Sequence, residues 1–251
     1  MKQVEDTEEY KAFLQNRAKK IERNRRRREK KSQEYSRHIK LQLQTYRLKL
    51  PANFSTENDI HSVVNFIKKV NDVRGLGYGR VQLDLSDVTS IDLTSITMLL
   101  TTTLKLHNKN IGCSGNLPKD ESCNKIFRES GFLQHMKTLQ GRKIPNPNEY
   151  NMIVKKGTDS TDSDVTGEAI KKAVLKLTGV ESHYPPVQSI VQEMLNNSVE
   201  YAYDKNADKF WLFCINVDED GITFIISDGG FGILKTLNRK FKKIIGNYSA
   251  P

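Results

Sequence analysis

The sequence predicts a mixed α/β protein, a pair of α+β two-layer sandwiches with a basic helix in front. Three observations lead to that class. Residues 45–142 alternate short apolar strand patterns with amphipathic helix patterns. Residues 150–251 place two helix patterns ahead of two apolar runs, and Asp218-Glu219-Asp220-Gly221 between those runs has the composition of a hairpin turn. Gly141 to Glu149, with Pro145 and Pro147, reads as a linker between the two. The 251 residues suffice for one large domain or two modest ones. The expected division is a charged arm over 1–44, an α/β domain over 45–142 and a second domain over 150–251.

The arm is rich in Lys, Arg, Glu and Gln, all good helix formers, and residues 1–50 contain neither Pro nor Gly. Phe13, Leu14, Ala18 and Ile21 form one short apolar face at helical spacing. Arg23 to Lys31 is polar all round and can bury no face, so it is a solvated helix or an arm without fixed structure. In the first domain, Tyr46–Leu50 reads as a strand. Ile60, Val63, Val64, Ile67 and Val70 mark a helix over Ile60–Val73. Val81–Leu85 alternates like a strand, and Leu93–Leu106 is a helix with Asp92 as its N-cap. Asn110–Ser114 is a third strand, and Glu121–Glu129 a helix closed by Ser130-Gly131. In the second domain, Tyr150–Lys155 is a strand, Asp164–Leu177 and Val187–Tyr203 are helices, and Phe210–Val217 and Ile222–Ser227 are the hairpin strands. Ile233–Ile245 is apolar and basic at helical spacing.

The charge is unevenly placed. The formal net charge is +10, and residues 11–40 alone carry thirteen Lys and Arg against three Glu, which is also +10. The basicity therefore belongs to the arm. Its cluster at Arg23–Lys31 suits nucleic-acid phosphates or an acidic partner, or simply keeps a helix solvated. Only Tyr35 stands near it, so base stacking is not suggested. Cys113, Cys123 and Cys214 have no metal-ligand spacing and are too few for a disulfide framework. No apolar run approaches the ~18 residues of a membrane helix, and the N-terminus lacks the apolar core of a signal peptide. A cytoplasmic protein with no membrane partner is expected.

The chemistry concentrates in two short motifs. In the first, Glu193 and Asn197 are four apart on a helix and share one face. Asn197 offers a hard oxygen to Mg²⁺, and Glu193 a carboxylate to orient a water or hydroxyl for attack on a phosphoryl group. Alone, the helix reads as a solvated face with Val191, Met194, Leu195 and Val199 buried. In the second, Asp228 follows the apolar run Phe224-Ile225-Ile226 and precedes Gly229, Gly230 and Gly232. Those glycines let a backbone approach a flat ligand, and a carboxylate at the strand end can accept from the exocyclic amine of adenine. Alone, this too reads as an ordinary Asp-Gly turn.

In order and together, Glu-x-x-x-Asn on a helix, a strand hairpin and Asp-x-Gly-x-Gly-Ile resemble the ATP-binding domain of DNA gyrase and the histidine kinases, the GHKL or Bergerat fold. The likeness runs over residues 150–245. It implies ATP and Mg²⁺ as cofactors, with Asp228, Gly230, Gly232 and Ile233 on the nucleotide, Asn197 on the metal and Glu193 as general base. Histidine kinases usually carry asparagine at the position of Glu193, which leans the expectation toward ATPase or serine-kinase chemistry. The family's later glycine-rich motif has no counterpart here, since Gly246 is the last glycine; either the chain is a piece of a longer protein or the phosphate side is incomplete. In the first domain, Val81 to Ile96 resembles the centre of the STAS domain of anti-sigma-factor antagonists. The likeness extends over 45–140, and implies a protein-interaction module. Regulatory STAS domains carry a phosphorylated hydroxyl just after the acid. Here Leu93 follows Asp92, and Thr94 and Ser95 come one and two positions late. The resemblances together imply an ATP-binding regulator. A protein serine or histidine kinase and a non-enzymatic nucleic-acid-binding or scaffold protein led by the arm are the alternatives.

Overall fold

The computed structural model describes residues 8–42, 44–136, 152–157, 161, 163–204 and 209–232. The expected linker at 141–149, the helix over 233–245, and Ile233 and Gly246 lie outside them. A helix, α1 (Glu8–Gln42), comes first. Strands β1 (Thr45–Lys49) and β2 (Asn53–Phe54) lead into α2 (Thr56–Leu76). Then come β3 (Arg80–Asp84), β4 (Ser90–Ile91), α3 (Leu93–His107), β5 (Gly112–Gly115) and α4 (Glu121–Glu129), with a 3₁₀ turn at Phe132–His135. The C-terminal part holds β6 (Met152–Gly157), α5 (Ser163–Thr178), α6 (Pro185–Tyr201), β7 (Trp211–Val217) and β8 (Ile222–Asp228).

Strands β1, β3 and β5 form a parallel sheet in that order, β2 pairs β4, and β6, β7 and β8 form an antiparallel sheet. Mixed α/β architecture is thus what the chain adopts. Helix α2 starts earlier than its apolar stripe suggests. Its first turn breaks at Asp59 (φ −153°, ψ 74°), whose Oδ1 accepts from the N–H of Ser62 at 3.0 Å and restarts the helix. Asp92 caps α3 as expected, in a capping box completed by Ser95. Two proline residues occupy the first turn of α6, where their missing N–H groups would have no helical partner anyway.

Helix α3 is the centre of the molecule. Ten of its fifteen residues are buried, because it is covered on two sides. Ile96, Leu99 and Leu100 belong to a core built on the parallel sheet with Val81, Leu83 and Val63. Leu212 and Cys214 of β7, with Phe210 just before it, join that same core. The Thr97 hydroxyl donates to Cys214 Sγ at 3.4 Å, and the Thr101 and Ser227 hydroxyls meet at 2.7 Å. The far face of the antiparallel sheet packs Trp211, Phe213 and Ile215 against Ile170 of α5 and Val191 and Leu195 of α6. The layers run parallel sheet, α3, antiparallel sheet, then α5 with α6. Strand alternation decides which β8 side chain meets which neighbour: Ser227 pairs in register with Leu212 and turns to α3, while Asp228 pairs with Trp211 and turns to α6.

Candidate functional site

The site forms where β8 ends against α6. Asp228 Oδ2 accepts from the Ser198 hydroxyl at 3.1 Å, and Oδ1 accepts from the Gly230 N–H at 2.9 Å. One hydrogen bond thereby joins the helix motif to the glycine motif, thirty residues apart in the chain. An ionised carboxylate offers about four acceptor positions, so Asp228 keeps capacity for another donor. The loop beyond is pinned to the end of α6. Phe231 N–H donates to the Ala202 carbonyl at 2.8 Å, Gly229 N–H to Tyr203 Oη at 2.6 Å, and Tyr203 Oη donates to the Phe210 carbonyl at 2.5 Å. Burial pushes the Tyr203 phenol up and keeps it the donor that this bond requires.

The glycines have separate reasons. A Cβ on Gly230 would stand 2.2 Å from the Ala202 carbonyl oxygen, and one on Gly229 would stand 2.6 Å from the Phe210 ring. These two are glycines because the loop presses on α6 and β7, a protein contact the sequence does not announce. Gly232 differs: its φ is +80°, and no atom of the described residues lies within 4 Å of where a Cβ would be.

Glu193 and Asn197 are both exposed on α6, and neither forms a side-chain hydrogen bond with the described residues. Glu193 borders a shallow depression of about 330 Å³ shared with Ser163, Gln188, Gln192 and Asn196. Asn197 does not line it. The apolar stripe of α6 is also not the one expected. Met194 is 49 % exposed, whereas Ser198 is buried at the place in the stripe after Val191 and Leu195. A lone hydroxyl at i, i+4, i+7 of an apolar stripe was the available signal for Ser198. Tyr203 and Ala202 left no such signal. Trp211, opposite Asp228, is fully buried with its indole N–H unpaired among the described residues.

In the first half, Asp92 is fully engaged. Its carboxylate accepts from Ser55 Oγ (2.7 Å), Thr56 N–H (2.5 Å), Thr56 Oγ1 (3.1 Å), Glu57 N–H (3.3 Å) and Ser95 N–H (2.7 Å). Half-burial pushes its pKa up, but the donors from Ser95, Ser55, Glu57 and Thr56 outweigh that and hold it below the ordinary value. The Ser95 hydroxyl is buried in the same capping box. Thr94 lines a cleft of about 260 Å³ that also touches Asn216, Asp218 and Thr223 of the β7–β8 hairpin. The three cysteines carry thiols pushed up by burial, Cys113 and Cys123 to about 11 and Cys214 to about 12, so none is a thiolate nucleophile at neutral pH.

The residues present fit an ATP–Mg²⁺ group in part. Asp228 keeps acceptor capacity among the described residues, Gly232 has a left-handed backbone, and Asn197 is exposed. No cluster of three or more His, Cys, Asp and Glu that could hold a metal occurs among the described residues, so a metal here would depend on phosphate and water oxygens. No helix among them is long and apolar enough to cross a membrane. Comparison with protein-family models, curated proteins and solved structures returned no match.

Proposed function

We propose that this chain is an ATP–Mg²⁺-binding regulatory protein of the GHKL kind whose STAS-like half meets a protein partner. The observation that carries it is the Ser198–Asp228 hydrogen bond, which brings the two motifs into one site. In this role Asp228 accepts from the adenine amine with its remaining lone pairs, and Asn197 lends its oxygen to the metal. Bound ATP would supply a transferable phosphoryl group. Glu193, exposed and without a hydrogen-bond partner among the described residues, is then the carboxylate available to a water or a substrate hydroxyl. Control of the partner would run through β8. Ser227 grips α3 through Thr101 at 2.7 Å and Asp228 is the next residue, so a shift at the nucleotide moves a strand already fastened to α3. A serine kinase is the second reading, favoured by the accessibility of Glu193.

Trp211 is the only tryptophan and faces Asp228 across the hairpin, so its emission should report occupancy. Titration with ATP–Mg²⁺, followed by calorimetry and by Trp211 fluorescence, is expected to give saturable one-to-one binding. No heat and no emission change up to millimolar ATP would refute the proposal. Labelled-phosphate transfer to a protein partner would favour the kinase, and free phosphate release alone the ATPase.

A further inference from the structure

Among the described residues, helix α1 contributes none to either hydrophobic core. From Glu22 to Glu34 it has no apolar residue at all, and the seven Arg and Lys side chains between Arg23 and Lys31 are exposed. At about 100° per residue, Arg23, Arg27, Arg28, Lys30 and Lys31 fall within a sector of roughly 160°. Arg25 and Arg26 lie beyond it and are paired with Glu29 at 3.0 Å and Glu22 at 2.9 Å. Among the described residues the helix thus has one broad cationic face without ion pairs and a narrow neutralised strip behind it.

The occupant of that face must be a polyanion that presents charge to a wide arc. A second copy of α1 does not fit. Leu14, Ala18, Ile21, Tyr35 and Ile39 follow a spacing of three and four, but the seam passes through Arg25 and Arg28, where either a parallel or an antiparallel partner brings like charges together. A membrane surface does not fit either, because a helix lying there needs a continuous apolar face, absent from Glu22 to Glu34. A double-helical groove does fit. The major groove of B-form DNA is about 12 Å wide, its two walls are phosphate backbones, and an α-helix is about 10–12 Å across. The nine residues Arg23–Lys31 span about 13 Å, a length over which duplex DNA presents about eight phosphates. A-form RNA closes its major groove to a helix.

We infer that α1 is a duplex-DNA-binding helix that lies in the major groove with Arg23, Arg27, Arg28, Lys30 and Lys31 on the phosphates. The interaction is independent of the nucleotide site and survives if that site binds nothing. The test is fluorescence anisotropy of the full chain with a labelled 20-base-pair DNA duplex of mixed sequence. With five uncompensated cations, affinity should fall about 500-fold between 50 and 200 mM NaCl. The variant Arg27→Gln/Arg28→Gln/Lys30→Gln/Lys31→Gln should leave about one fifth of that logarithmic salt slope, with helix content by circular dichroism unchanged. No binding at 50 mM salt, binding insensitive to salt, or an unaffected variant overturns the inference. So does binding of equal strength to a 20-base-pair RNA duplex, to polyglutamate, or to vesicles of anionic lipid. The wild-type slope and the competitor panel stand even if the variant fails to fold.

Discussion

Asp92 follows β4 and Asp228 ends β8, and what separates these two carboxylates is how many donors each one meets. Asp92 takes five, drawn from the first turn of α2 and the first turn of α3. Asp228 takes two among the described residues, one from α6 and one from its own loop. The first has no valence left for a ligand and fastens two helix starts together. The second is anchored yet still open. Residue type and position after a strand are alike in both, so neither marks a site. What differs between them is the acceptor capacity left unspent among the described residues.

The comparison breaks first at Asp92. Asp92→Ala orphans donors at two helix N-termini, and should cost about 3 kcal/mol or more in urea unfolding. The carboxyl is held below its unfolded pKa, so its contribution is complete above the ordinary carboxylate value near 4 and disappears as pH falls through the folded value. The gap in urea midpoint between wild type and Asp92→Asn should therefore be full at pH 7 and shrink below about pH 4. A gap that stays constant to pH 3 would show that the charge contributes nothing.

Asp228→Ala should do the reverse, weakening ATP by about 100-fold, roughly 2.7 kcal/mol, in calorimetry. Its unfolding cost should stay within about 1–2 kcal/mol, the loss of two hydrogen bonds. A stability loss as large as that of Asp92→Ala would make Asp228 another staple.

The glycines sharpen the same contrast. Gly230→Ala drives a Cβ into the Ala202 carbonyl and should cost about 2–3 kcal/mol in thermal unfolding. Gly232→Ala should meet the left-handed backbone penalty, about 1 kcal/mol, since no atom of the described residues stands within 4 Å of its Cβ. Equal costs would mean that the loop can lift off α6.

The smallest effect is expected at the join between halves. Thr101→Val leaves the Ser227 hydroxyl without its partner and should cost about 1 kcal/mol. Its sharper readout is the emission of Trp211 on ATP addition, which should change in midpoint if β8 couples the site to α3. An unchanged midpoint would leave Thr101 a packing residue only.

Much of the fold was legible because its signals are local. The apolar alternation of Val81–Leu85, the stripe of α2 and the hairpin at Asp218–Gly221 each declare themselves within a few residues. Asp92 as a cap of α3 was equally legible, since the capping box spans three residues. Its second engagement with Ser55 and Thr56 was not, being thirty-six residues or more away. Met194 read as buried because aliphatic spacing favours it, but the turn of α6 toward β7 buries Ser198 instead.

The sequence by itself determined which longer segments form helices and strands, where the charge lies, and which acids and glycines stand at strand ends. Those properties follow from backbone sterics and periodicity acting over one or two turns. Only the tertiary structure decided that α3 lies between two sheets, that Ser198 reaches Asp228, and that Gly230 is required by Ala202. Each of these depends on how layers close over one another. A hydrogen bond between residues thirty apart exists only once burial has fixed the angle between the elements that carry them.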